Sequence, residues 1–256
     1  MATTGSPEQP NAEAPSYGQH YALGRAIVAP LLSFLVRTHQ PGIEQLPEGP
    51  AIIAANHISF LDSALLLATL PRQIQFVGKA EYLDDWKTKH LFPALGMIPI
   101  DRSGGSASDS ALDAARSVLE NGGLFGIFPE GTRSRNGTLH KGHTGVARLA
   151  LQTGAPIVPV GIVGTELIQP PDAPFPKLFM PATFHFGAPI RVDRHKHRQD
   201  DRMLLREITD EVMFEIRELT GQQYVHQYAT RTAEVAQAPT APVNATIDTA
   251  REPALV

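Results

Sequence analysis

The stretch Asn56-His57-Ile58-Ser59-Phe60-Leu61-Asp62 sets an imidazole and a carboxylate five residues apart. In an uninterrupted helix five residues turn through about 500°, which would put the two side chains on different faces. They meet only if His57 precedes the helix. Ser59 then reads as the N-cap and Asp62 as the third helical residue, whose carboxylate points back over the helix start. A carboxylate bonded to one ring nitrogen fixes the imidazole tautomer and leaves the other nitrogen free to act as general base. The same Ser59-x-x-Asp62 spacing also spells an ordinary capping box, in which Asp62 serves only the backbone.

A second concentration of chemistry follows an apolar run: Phe128-Pro129-Glu130-Gly131-Thr132-Arg133-Ser134-Arg135. A guanidinium binds phosphate bidentately, Thr and Ser supply hydroxyls, and Gly131 lets the backbone approach an anion. Glu130 reads as a group that holds the arginine or touches a substrate hydroxyl. After Glu130, Arg133, Arg135, Lys141 and Arg148 all precede the next acidic residue, with His140 and His143 among them. This basic surface is either an anion site or a solvated loop, and no nucleotide P-loop pattern accompanies it. Two further cations follow apolar segments: Lys79 after Gln73–Val77, and Arg102 after Leu91–Ile100, the latter a candidate anion ligand.

The elements that would position these groups alternate along the chain. Pro50–Ala55, Gln73–Val77, Gly123–Phe128, Ala155–Gly164 and Thr183–Phe186 read as strands. Helices are expected from Leu61 onward, over residues 109–121 and 142–153, and along the stripe Leu204, Ile208, Val212, Ile216 and Leu219. Gly122, Gly154 and Gly221 stop three of them. Alternating strands and helices imply an α/β fold with a mostly parallel sheet flanked by helices, whose site residues gather at one sheet edge.

With 256 residues and 42% hydrophobic content, the chain suits one such domain. The absence of cysteine excludes disulfides, thiolate metal sites and a cysteine-bound intermediate. A formal charge of −4 gives no general case for nucleic acid. His195-Lys196-His197 lacks a third ligand and has basic neighbours, so no metal and no cofactor is expected. Residues 1–20 read as a disordered leader and 228–256 as a disordered tail, with the catalytic domain over 39–227. The apolar segment 21–38 contains Arg25 and Pro30 and is short for a membrane span. It is either an interfacial helix or a helix packed on the core. The proline-rich loop bearing Phe175, Leu178 and Phe179 either touches lipid or covers the core.

Four segments stand in order: Asn56-His57-x4-Asp62, Gly96-Met97-Ile98-Pro99-Ile100-Asp101-Arg102, Phe128-Pro129-Glu130-Gly131-Thr132-Arg133-Ser134 and Val158-Pro159-Val160-Gly161-Ile162-Val163-Gly164. Together they resemble the glycerolipid acyltransferases of the lysophosphatidic acid acyltransferase type, over roughly residues 35 to 220. The resemblance implies a glycerol-3-phosphate acyltransferase-like fold with an N-terminal membrane-interface helix. It makes His57 and Asp62 catalytic and Lys79, Arg102, Glu130, Gly131, Thr132, Arg133 and Lys141 substrate-binding. The implied reaction passes a fatty acyl group from acyl-CoA or acyl carrier protein to the free hydroxyl of 1-acylglycerol 3-phosphate, giving phosphatidic acid. The alternatives are another lysophospholipid or glycerol 3-phosphate as acceptor, or a catalytically silent lipid-binding protein. The implied partners are the acyl donor, the lysophospholipid and a membrane surface, with the protein peripheral or monotopic on the cytoplasmic side. Two positions depart from the pattern: His140 stands where the family has phenylalanine before Lys141, and Ile98-Pro99-Ile100 replaces residues that are commonly aromatic.

Overall fold

The computed structural model describes residues 26, 29–79, 97–100, 107–170, 173, 175–195 and 198–229. The expected leader, Arg102 and the tail beyond 229 lie outside these residues. Seven strands form one sheet: β1 Arg37–His39, β2 Ala51–Ala55, β3 Ile74–Lys79, β4 Met97–Ile100, β5 Leu124–Ile127, β7 Ile157–Val163 and β8 Pro181–Phe186. A separate parallel pair joins β6 Leu139–His140 to β9 Tyr224–Val225. The large sheet runs in the order β1-β8-β7-β2-β5-β3-β4, and only β7 and β8 pair antiparallel. The helices are α1 Asp62–Thr69, α2 Ala107–Glu120, α3 Gly145–Thr153, α4 Thr165–Ile168 and α5 Arg202–Thr220.

The central strand β2 is wholly buried, yet its residues still alternate between two layers. Ala51, Ile53 and Ala55 face a core that includes Leu65, Leu66 and Leu67 of α1, while Ile52 and Ala54 face one built by α2, α3 and α5. On the second face α5 buries Leu204, Leu205, Ile208, Val212, Met213 and Ile216. It starts where the Asp201 carboxylate accepts from the amides of Met203 and Leu204 and stops at Gly221, with φ of 68°. At the N-terminal edge of the sheet Arg72 donates to the carbonyls of Pro47, Gly49 and Gly122, tying together the starts of three strands.

The apolar N-terminal run is helical over 29–35, but β1 begins at Arg37, so the end of the segment expected as helix belongs to the sheet. The reason is pairing: the Arg37 amide donates to the Met180 carbonyl at 3.1 Å and β1 continues in register with β8. Ala29 and Leu32 pack on the core while Leu31 and Phe34 remain exposed. Among the described residues no helix is long and apolar enough to cross a membrane.

Candidate active site

β2 delivers His57 to the C-terminal edge of the sheet, and the chain turns through residues 58–61 before α1 starts at Asp62. Ser59 is therefore not the N-cap that the spacing predicts, and Asp62 is the first helical residue. A tight turn takes up the intervening residues instead: the Asp62 amide donates to the Ser59 carbonyl and the Leu61 amide to Ser59 Oγ. The expected convergence nevertheless forms, because Asp62 folds back beneath that turn.

Asp62 is fully buried, and four donors meet its carboxylate. Oδ2 lies 2.8 Å from His57 Nδ1 and accepts from the amides of Ile58 and Ser59, each also at 2.8 Å. Oδ1 accepts from Thr165 Oγ1 at 2.6 Å. A carboxylate serving only as acceptor makes Nδ1 the protonated ring nitrogen, leaving Nε2 with a free lone pair. The N-terminus of α1 adds favourable backbone dipoles to the negative charge. The amides of Ile58 and Ser59 are thus spent on this carboxylate and do not face the cavity as oxyanion donors.

The imidazole is also held from its face. Phe128 stacks on it at 4.0 Å between centroids and 13° between planes, and Phe76 stacks in turn on Phe128 at 5.7 Å. Phe76 has room because β5 carries Gly126 beneath it, where a Cβ would lie 2.1 Å from the ring. Phe128 thus acts as a stop against rotation of the histidine about its side-chain bonds, a role its place at the end of an apolar run does not reveal.

The loop after β5 is joined to His57 on both sides. The His57 amide donates to Glu130 Oε2 at 3.0 Å, and the Ser134 amide donates to the His57 carbonyl at 2.7 Å. Glu130 Oε1 accepts from the His140 amide at 2.9 Å. Glu130 is only 1% exposed, and its carboxylate faces these two backbone amides and braces the loop. Gly131 takes a φ of 74°, the left-handed value that favours glycine, and closes a turn onto the Phe128 carbonyl.

A cavity of about 1000 Å³ opens above this corner, with His57, Phe60, Gly131, Thr132, Arg133, Arg148 and Tyr228 in its wall. Phe76, Gly78, Met97, Phe125 and Gly126 supply an apolar side. The Arg133 guanidinium lies 6.0 Å from the Phe60 ring centroid. Three expected site residues, Gly131, Thr132 and Arg133, thus line the same space as His57. Lys141 stands behind that wall, with Nζ 5.4 Å from the Tyr228 ring centroid and 3.4 Å from His226 Nε2. Lys79 ends β3, paired in register with Ile100. Tyr228, expected to open a tail, stacks on His143 at 4.6 Å and is part of the site. Partial burial first and the Arg206 guanidinium second lower the His143 pKa, which favours a neutral ring against the cavity.

This arrangement offers a general base at the boundary between an apolar space and a cationic one, a combination suited to a substrate with an acyl chain and an anionic head. The family model described as Acyltransferase matches residues 37–163. A chloroplastic 1-acyl-sn-glycerol-3-phosphate acyltransferase of Brassica napus is 31% identical over 136 residues, 52% of this chain and 39% of the relative. The corresponding protein of Limnanthes douglasii is 34% identical over 144 residues, 56% and 51% of the two chains. That of Borreliella burgdorferi is 30% identical over 126 residues, 49% and 50%. The matched stretch thus spans about half or less of the length of these relatives. Among solved structures, the 1-acyl-sn-glycerophosphate acyltransferase PlsC of Thermotoga maritima superposes with a TM-score of 0.57 at 25% identity, covering 78% of this chain and 77% of that one. By these matches, residues 37–163 form a domain of the acyltransferase family, and the chain is similar in sequence and fold to the 1-acyl-sn-glycerol-3-phosphate acyltransferases.

Proposed function

We propose that the protein transfers a fatty acyl group from an acyl thioester, carried by CoA or acyl carrier protein, to the free hydroxyl of 1-acylglycerol 3-phosphate, forming phosphatidic acid. The observation that carries this reading is the His57–Asp62 pair, 2.8 Å apart, in a cavity walled on one side by Phe76 and Met97 and on another by Arg133. His57 Nε2 takes the hydroxyl proton as the oxygen attacks the thioester carbonyl. The tetrahedral adduct collapses, the C–S bond breaks, and the imidazolium returns the proton to the departing thiolate. Asp62 holds the tautomer and stabilises the imidazolium. Arg133 with the Gly131-Thr132 backbone takes the phosphate, and the family resemblance adds Lys79, Arg102 and Lys141 as acceptor-binding residues. Glu130 acts by bracing.

The same reading puts the protein on the cytoplasmic side of a membrane, peripheral or monotopic. Leu31, Phe34, Phe175, Leu178 and Phe179 are all exposed, and the Phe34 and Phe179 rings meet edge to face at 5.9 Å. The loop bearing the last three follows Gln169, whose carbonyl accepts from Ser59 Oγ at 3.4 Å. The apolar surface therefore adjoins the turn that holds the dyad, where a lipid acceptor would enter. Exchanging Phe34 and Phe179 for serine should release the protein from sedimenting anionic phospholipid vesicles, and equal retention would remove this surface from membrane contact.

The deciding assay is acyl transfer from long-chain acyl-CoA to lysophosphatidic acid in detergent micelles, with wild type and His57→Ala compared. Activity in wild type that disappears in the variant is the expected result. An inactive wild type that still binds the lipid favours a different acceptor or a silent lipid-binding role. Equal activity in both proteins would sink the mechanism.

A further inference from the structure

We infer that Thr165 is a positioning residue for the reaction: its buried hydroxyl fixes the rotation of the Asp62 carboxylate, and through it the tautomer and aim of His57. This rests on the acyltransfer reading for its kinetic consequence, although the geometry stands independently of the substrate.

The argument begins with how unequally the two carboxylate oxygens are served. Oδ2 receives His57 Nδ1 and the amides of Ile58 and Ser59, whereas among the described residues Thr165 Oγ1 is the donor to Oδ1. Both Asp62 and Thr165 are fully buried. A buried carboxylate oxygen deprived of its donor carries a large desolvation cost, and Asp62 relieves that cost by rotating to share the donors that now converge on Oδ2. Those donors include the imidazole. Rotation therefore lengthens or misaligns the bond that makes Nδ1 the protonated nitrogen and Nε2 the base. In this way a hydroxyl that never faces the cavity acts on the reacting atom.

The fold places this hydroxyl with little freedom. Asp62 follows β2 and Thr165 follows β7, and these two strands are neighbours in the sheet, so residues separated by 103 positions in sequence meet at its edge. Between β7 and Thr165 stands Gly164, with φ of 94° and so little space that a Cβ would lie 2.8 Å from the Pro181 carbonyl oxygen. The next carboxylate, Glu166, turns back to accept from the Gly164 amide at 3.0 Å. The turn is thus set from both sides of Thr165, and its side chain is delivered to Asp62 by the backbone.

The experiment compares Thr165→Val, which keeps the shape and removes the hydroxyl, with Thr165→Ser, which keeps the hydroxyl and removes the methyl. Transfer from long-chain acyl-CoA to lysophosphatidic acid gives kcat and KM, thermal unfolding gives Tm, and ¹⁵N NMR of the histidine rings reports the His57 tautomer. A hydrogen bond to a charged group has the size to produce a fall of about 10- to 100-fold in kcat for the valine variant. KM for both substrates should stay within about twofold and the serine variant should hold kcat within about threefold, since transition-state stabilisation is what is lost. The His57 ring nitrogens in the valine variant should move toward the averaged shifts of an imidazole that exchanges between tautomers. Should the valine variant fail to fold, Thr165→Ala carries the same comparison with serine. Unchanged kcat and unchanged ring shifts in the variant lacking the hydroxyl overturn the inference. So does an equal loss in the serine and valine variants that follows their Tm, which would make Thr165 structural only. A wild type inactive toward lysophosphatidic acid defeats the acyltransfer reading, while the ring shifts still decide whether Thr165 governs His57.

Discussion

The two sides of the cavity are built in opposite ways. At the His57 corner the polar groups around the free Nε2 are locked: Asp62 accepts four hydrogen bonds, Glu130 bridges two backbone amides, and the imidazole lies against Phe128. Across from it, Arg133 and Arg148 are only partly buried, and among the described residues Arg133 makes a loose approach to the Phe60 ring. The difference follows from what each side is asked to do. A proton must pass between atoms whose separation is fixed within tenths of an ångström, so its donors and acceptors are locked beforehand. A phosphate is gripped by long charged side chains that retain water until the ligand replaces it, and rigidity there would add desolvation cost without gain. Change in the corner should accordingly fall on kcat, and change in the rim on KM.

The sharpest test of that division is His57→Ala, expected to lower kcat by about 10²- to 10⁴-fold while leaving lipid binding intact. A matching loss of lipid affinity would show that the corner also grips. Glu130→Ala should be the most damaging change to the corner that leaves the dyad itself untouched. It strands the partly buried amides of His57 and His140, which should cost about 1 to 3 kcal/mol in denaturant unfolding and reduce kcat besides. Unchanged stability would mean that water or a neighbouring group replaces the carboxylate.

On the rim, Arg133→Ala should raise KM for the phosphate-bearing acceptor by about 10- to 100-fold with little change in kcat. The wild-type KM should itself rise with added salt, since a partly exposed ion pair is screened over about 8 to 10 Å, and the variant should respond less. The smallest effect is expected at Glu166, on the border of the corner. Burial raises its pKa first, with the Asp62 charge adding to the shift against two backbone hydrogen bonds that lower it. The folded state then holds its proton to higher pH than the unfolded chain, so stability falls as pH rises from the unfolded value through the raised one and is level beyond it. Glu166→Gln should lack that fall, and thermal unfolding from about pH 4 to about pH 7 would reveal whether the two curves diverge in this sense.

Much of the corner was legible because its parts are close in sequence. His57 and Asp62 lie on either side of one strand-to-helix junction, and the apolar run before them and the helix after them carry ordinary periodicities. The same nearness misled in detail, since Ser59-x-x-Asp62 spells a cap whereas the chain spends those residues on a turn that brings Asp62 under three donors. Thr165 was not legible at all. Its importance depends on β7 lying beside β2, and a threonine after Val-Gly carries no local sign of a buried carboxylate more than a hundred positions upstream. Glu130 was identified, but its direction was not, because a carboxylate in a basic loop reads equally well as facing outward or inward. The parallel β6–β9 pair escaped notice because two-residue strands have no period to detect.

That small pair has a consequence for how the protein is made. Gln222 accepts from Asn56, the residue just before the histidine, and also donates to the Gly137 carbonyl, while β9 pairs with β6 and Tyr228 follows at the cavity wall. A chain emerging from the ribosome could assemble β2, α1 and β5 early, but it would hold an unfinished site until residues 222–228 had also emerged. Interruption of synthesis between α5 and that point would leave a folded core with its chemistry not yet closed.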